Sequence, residues 1–165
     1  MDTARLIRHL LLPGWVVRRR FPEAMLIRIE QSIRRSESGH RGEIGIAIEG
    51  GLDPVSLWRG VTPRQRALDA FASLGIWDTE ENTGVLIYIQ LADRAVEIVA
   101  DRGIDRHVSQ AQWALICRDL EARFRIGEHA AGCEAAVEAI GALIATHFPR
   151  APDDVDELPN RPIIL

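Results

Sequence analysis

Asp78, Glu80, Asn82 and Asp101 carry the side chains of this sequence best suited to hold a hard cation. Ca²⁺ and Mg²⁺ take carboxylate and amide oxygens and keep several waters, so acids spaced along loops are donors of the right kind. Arg102, next to Asp101, and His40 are the candidate contacts for a phosphate or a partner. Structural roles compete for the same residues. Asp78 could cap a turn, Asp101 and Asp105 could satisfy backbone amides, and Arg102 could pair with any of these acids.

Other chemistries lack their patterns. The histidines at 9, 40, 107, 129 and 147 show no HExxH or other zinc spacing, and Cys117 and Cys133 fall on apolar positions of helices, where a free cysteine behaves as a small hydrophobe. Cys117 and Arg123 match the Cys-x5-Arg spacing of thiol phosphatases, but CRDLEAR reads as helix and has no glycine to form a phosphate cradle. There is no GxSxG elbow, Walker loop or GxGxxG, and no organic cofactor is expected.

The elements that must position the acids follow from periodicity. GEIGIAIE alternates at the strand period, and GVLIYIQL is a nearly unbroken apolar run, as expected of a central strand covered on both faces. Between them, Thr62, Pro63 and Gln65 form a capping box that opens a helix to Gly75. This strand-helix-strand crossover makes strands 43–49 and 84–91 parallel. Asp93 and Arg94 form a two-residue turn into AVEIVAD, which returns antiparallel. One end of the sheet therefore gathers His40, Arg41, Asp78, Glu80, Glu81, Asn82, Asp101, Arg102 and Asp105. A helix from Pro22 to near Gly39 precedes the sheet. Two long helices follow it, the first opened by Ser109 and Gln112 and carrying Trp113, Leu120 and Phe124 as a buried stripe.

A chain of 165 residues with 47% apolar and 27% charged residues is the size and composition of one globular domain. All 20 basic residues are arginine, and residues 1–41 carry a net charge of +5 in a chain whose total is −4. Arg18, Arg19 and Arg20 follow an apolar stretch with Leu10, Leu11, Leu12 and Trp15. They form a basic patch suited to an anionic membrane surface or to an acidic, membrane-associated protein. The structural alternative is a docked segment with solvated arginines. On the first reading, residues 1–21 decide where the protein goes and not whether it folds. Nucleic acid is not an expected partner of an acidic chain without a recognition motif. No apolar run approaches the ~20 residues of a spanning helix, and the strongest positive run follows the apolar stretch instead of preceding it. The expected location is cytoplasmic, peripheral to the inner face of the membrane where the arginines act. Prolines and acids from 149 onward indicate an extended tail.

The run WDTEENTGVLIYIQLADRAVEIVADRGI followed by RFRIGEHAAG resembles the TPM domain, a family named for a thylakoid-lumen phosphatase, a photosystem II repair protein and a receptor-modulating protein. The resemblance covers roughly 40–148. It is carried by Asn82 and Gly84 before an apolar strand, the Asp93-Arg94 turn, Asp101 with Gly103, and the junction from Phe124 to Gly132. It implies a three-layer α/β/α sandwich with a short mixed sheet, divalent-metal binding as in some members, and the acid phosphatase activity of a plant member. On it, 22–148 is the TPM-like domain between a basic segment, 1–21, and a Pro-rich acidic tail, 149–165. The chain is then expected to be a stand-alone bacterial member without export signal or membrane anchor, a companion of membrane-bound relatives. Two functions remain open. One is a cation-binding interaction module. The other is a metal-assisted phosphatase in which Asp78, Glu80 and Asp101 ligate and Arg102 holds phosphate.

Overall fold

A computed structural model describes residues 3–151 and 157–165; the tail acids Asp153, Asp154 and Asp156 lie outside the described residues. Strands β1 (Glu43–Glu49), β2 (Gly84–Gln90), β3 (Ala95–Ala100) and β4 (Ile163–Ile164) form one mixed sheet in the order β3-β2-β1-β4. β1 runs parallel to β2 and to β4, and β3 runs antiparallel to β2. All seven residues of β2 are buried. On one face Ile44, Ile46, Ile48, Val85, Ile87 and Ile89 pack with α3 (Glu23–Glu37), α7 (Gln110–Arg125) and α8 (His129–His147). On the other face Ala47, Leu86, Tyr88 and Val99 pack with α5 (Pro63–Ser73). The result is the expected three-layer α/β/α sandwich.

The helix starts follow their local chemistry. The Thr62 hydroxyl accepts from the Gln65 amide at 3.2 Å while the Thr62 amide donates to Gln65 Oε1 at 2.9 Å, and Ser109 and Gln112 do the same for α7. The hairpin differs from expectation. The turn spans Leu91 to Arg94, four residues instead of two, closed by the Arg94 amide on the Leu91 carbonyl at 3.3 Å. The tail also does more than extend. β4 adds to the free edge of β1, with the Leu165 amide donating to the Ile48 carbonyl at 2.9 Å.

Residues 3–20 contain two helices, α1 (Thr3–Leu10) and α2 (Gly14–Arg20). Val17 and Phe21 sit fully inside the core, which corrects the expectation that this segment contributes nothing to folding. α1 is fastened by its polar side. Arg5 donates to both oxygens of Asp93 and to the Val61 carbonyl, and His9 joins Asp93 Oδ1 at 3.1 Å while its Nδ1 accepts from the Leu52 amide at 2.8 Å. Gly50 and Gly51 make room for this, since a Cβ on either would come within 2.3 Å of a carbonyl oxygen of Leu12 or His9.

Burial pushes the Asp93 carboxyl up, but the hydrogen bonds from Arg5 and His9 outweigh it and hold its pKa below the ordinary value. A depressed carboxylate stabilises the folded form above the ordinary pKa of ~4 and loses that contribution as pH falls through the folded value. Amide protection in residues 3–12, taken relative to the intrinsic exchange rate at each pH, should therefore fall selectively in acid, and Asp93→Asn should give the same loss of protection at neutral pH. A change of protection no larger in residues 3–12 than elsewhere in either case would show that this pairing does not hold α1. Trp113 is buried in the core beside Leu120, as its helical spacing predicts. Trp113→Ala should cost about 3–5 kcal/mol in denaturant unfolding, and a loss below about 1 kcal/mol would place the indole outside the core.

Candidate functional site

Connectivity brings the entry of β1, the entry of β2 and the exit of β3 to one end of the sheet. The loop before β2 is built on local polar contacts. Thr79 Oγ1 accepts from the Thr83 amide at 2.9 Å, the Asn82 amide donates to the Thr79 carbonyl at 3.2 Å, and Asn82 adopts the left-handed conformation with φ 57°. Asparagine tolerates that region better than other side-chain-bearing residues. The turn delivers the Asn82 carbonyl to the Gly103 amide at 3.0 Å, which ties the loop to α6 (Arg102–Asp105) after β3. Only glycine fits there, because a Cβ on residue 103 would lie 2.3 Å from the Asn82 carbonyl oxygen and 2.6 Å from that of Glu81.

Asp101 takes the structural role weighed for it. Its Oδ1 accepts from the Arg102 amide at 2.7 Å and caps α6. Asn82 and Asp101 are half-buried, while Asp78, Glu80 and Arg102 are exposed. Glu80 is tied by its backbone, with its amide donating to Glu157 Oε2 at 3.0 Å; the Glu157 amide in turn donates to Glu43 Oε1 at 3.0 Å. The acid that turns inward is Glu81, which the candidate ligand set omits. One of its oxygens pairs with Arg41, and the other is buried with no hydrogen-bond partner. Arg41 also donates to the Pro149 carbonyl at 3.1 Å, so a guanidinium already stands at the acid loop as its counter-cation.

His40 does not join the acids. Its buried ring lies against α8, where the absent side chain of Gly141 leaves room for it and for Ser36. The Gly42 amide donates to His40 Nδ1 at 3.2 Å, so in the neutral ring the proton sits on Nε2 and points at Ser36 Oγ, 3.0 Å away. In this tautomer the imidazole donates to the hydroxyl and does not draw its proton, so the pair, which borders a groove of about 610 Å³ between α3 and α8, is poorly arranged for nucleophilic attack. Burial pushes the Cys133 thiol up to about 12 and the Cys117 thiol up to about 11, as expected of inert core cysteines. Arg18, Arg19 and Arg20 are exposed on the last turn of α2, at the other end of the sheet. Among the described residues no three His, Cys, Asp or Glu side chains converge as a ready-made metal set.

These features define a small α/β/α sandwich whose polar loops are collected at one end. The family model of the TPM domain matches residues 21–143, and the chain belongs to that family. Its structure is similar to the NMR structure of the BA42 protein from the psychrophilic bacterium Bizionia argentinensis, with a TM-score of 0.76, 30% identity, and coverage of 86% of this chain and 93% of that one. It also shares its fold with the N-terminal domain of a protein from P. gingivalis, at a TM-score of 0.58 and 18% identity over 73% of this chain and 76% of the other. Comparison with curated proteins gives no match. No helix among the described residues is long and apolar enough to cross a membrane.

The contact at Gly103 gives a direct check of the site's construction. Gly103→Ala should destabilise by about 1–3 kcal/mol, the usual cost of overpacking, and its amide shifts should centre on residues 79–84. A neutral effect with an unperturbed loop would show that the two loops are not locked together at this point.

Proposed function

We propose that this TPM domain is an interaction module that binds a divalent cation of the Ca²⁺ or Mg²⁺ type at the acidic end of its sheet. The observation that carries the reading is Glu81, a half-buried carboxylate with one oxygen on Arg41 and the other without a hydrogen bond. A buried carboxylate oxygen is costly to leave unsatisfied, and a hard cation is one partner that would satisfy it. The donor set fits such an ion in kind. Glu81 would hold it with backbone carbonyls of the same loops, and Asp78, Glu80 and Asp101, which do not converge with it in this structure, would join through water or a shift of their loops. Once bound, the cation would neutralise these acids and supply a positive centre for an acidic partner group. A binding role is favoured over phosphate-ester hydrolysis through a protein nucleophile, because the Ser36–His40 pair holds its proton in the unproductive direction and both thiols are raised by burial.

Arg41 makes the proposal selective. As the resident counter-cation it competes with the ion, so Arg41→Gln should strengthen Ca²⁺ or Mg²⁺ binding and Glu81→Gln should weaken it by about tenfold or more, the usual scale for losing a charged ligand. Asp101→Asn should weaken it less than Glu81→Gln, since Asp101 already serves as a helix cap. The measurement is titration of the full chain with Ca²⁺, Mg²⁺ and Mn²⁺ while following amide shifts. Shifts confined to residues 78–84 and 101–105 are expected. No saturable shift below about 10 mM, beyond the weakest extracellular calcium modules, would end the proposal.

A further inference from the structure

Helix α1 is amphipathic in the reverse of the usual sense. Its polar residues Arg5 and His9 face the protein and are held on Asp93, Val61 and Leu52. Its apolar residues Ile7, Leu10 and the following Leu11 face outward and are 52%, 58% and 70% exposed. A surface helix ordinarily buries the apolar stripe. Here the inward position is taken by an ion pair, and the stripe has nowhere to go but out. Two exposed tryptophans stand on the neighbouring elements: Trp15, 67% exposed on α2, and Trp58, 78% exposed on α4 (Pro54–Trp58), whose two flanks α1 grips at Leu52 and Val61.

Positive charge predominates around this apolar surface, where the acids are Asp93, paired with Arg5 and His9, and the exposed Asp53 that caps α4. Arg8, Arg18 and Arg19 are exposed on the same two helices, and residues 3–21 contain no acid. Arg59 and Arg94, also exposed, belong to the loops against which α1 lies. We infer that this end of the molecule is a docking face for an anionic lipid bilayer, with the α1 stripe and the two tryptophans entering the interface and the arginines meeting lipid phosphates. Apolar residues flanked by Arg, with Trp at headgroup depth, are what an interfacial surface requires. Charge argues against a second copy as the occupant, since a two-fold contact through this face would set arginine against arginine. The inference is independent of cation binding at the opposite end, and the Arg18–Arg20 patch becomes one part of a larger surface.

The test is co-sedimentation of the full chain with vesicles of equal phosphatidylglycerol and phosphatidylcholine, against phosphatidylcholine alone. Binding should favour the anionic vesicles by about tenfold or more and fade in high salt, with each arginine contributing about fivefold near the surface. Leu10→Asp with Leu11→Asp should reduce binding by more than about tenfold, since an apolar contact is replaced by charges the bilayer repels. Trp15→Ser with Trp58→Ser should also reduce it, and serves if the first variant is unstable. Leu115→Asp, at a residue 62% exposed on α7, should bind like the parent. Unchanged melting temperatures separate docking from folding. No binding of the parent to anionic vesicles at low salt would overturn the inference. So would equal loss in Leu115→Asp, or a concentration-dependent dimer of the parent that the Leu10→Asp, Leu11→Asp variant abolishes.

Discussion

Strand β2 has every residue buried, and a strand with no solvent face must be covered by a layer on each side. α5 supplies one layer; α3, α7 and α8 supply the other. With both faces taken, loops and short helices are left to the ends and edges of the sheet. The faces even enclose charge. Glu49, at the end of β1, accepts from Arg66 of α5 at 2.9 Å and from the Tyr88 hydroxyl, and burial followed by the Glu49 contact raises the Tyr88 pKa well above the tyrosine range. Removing one member would leave the others buried without compensation, which is why such a network specifies one packing of helix on sheet.

The edges are closed by the same economy of side chains. β4 covers β1, while Arg64 donates to the Ile98 carbonyl and the Val96 amide donates to Glu121 Oε1 at 3.2 Å along the outer edge of β3. An exposed edge strand would otherwise offer its unpaired groups to another chain.

How much of this the sequence disclosed depends on how local each cause is. The capping boxes at Thr62 and Ser109 act over three residues, and β1 and β2 declare themselves by apolar pattern, so the sandwich and the end that gathers the acids were legible. β4 has two residues next to Pro162, too few to show a period, and exists because β1 has a free edge. α4 is five residues long and depends on Asp53, which accepts from the Val55 and Ser56 amides at 2.9 and 3.0 Å. α1 was missed for a more instructive reason. Its apolar residues face water, so its orientation depends on Asp93, 88 residues away from Arg5. The acidic end shows the same division. Its membership follows from strand order, but the inward turn of Glu81 depends on Arg41 and on the left-handed Asn82, neither of which has a sequence period.

The two ends of the sheet also constrain each other. β1 and β2 are parallel, so the loops entering them and the loops leaving them lie on opposite sides of the molecule. The entering side carries Asp78, Glu80, Glu81, Asp101 and Asp105 with Arg41, Arg102 and Arg106 among them, while the leaving side carries the arginines of α1 and α2 with Arg59 and Arg94, against Asp53 and Asp93. The leaving side is the more positive of the two, so an anionic surface would turn that side toward itself. On the proposed docking, the acidic end would face the aqueous phase, where the proposed cation would reach it without crossing the docked face. Screening limits this steering to about a Debye length, roughly 8 Å at physiological salt, so it orients the chain only close to the surface. Beyond that distance the apolar stripe of α1 exerts no pull, and at contact its burial is the part of the attraction that salt does not remove.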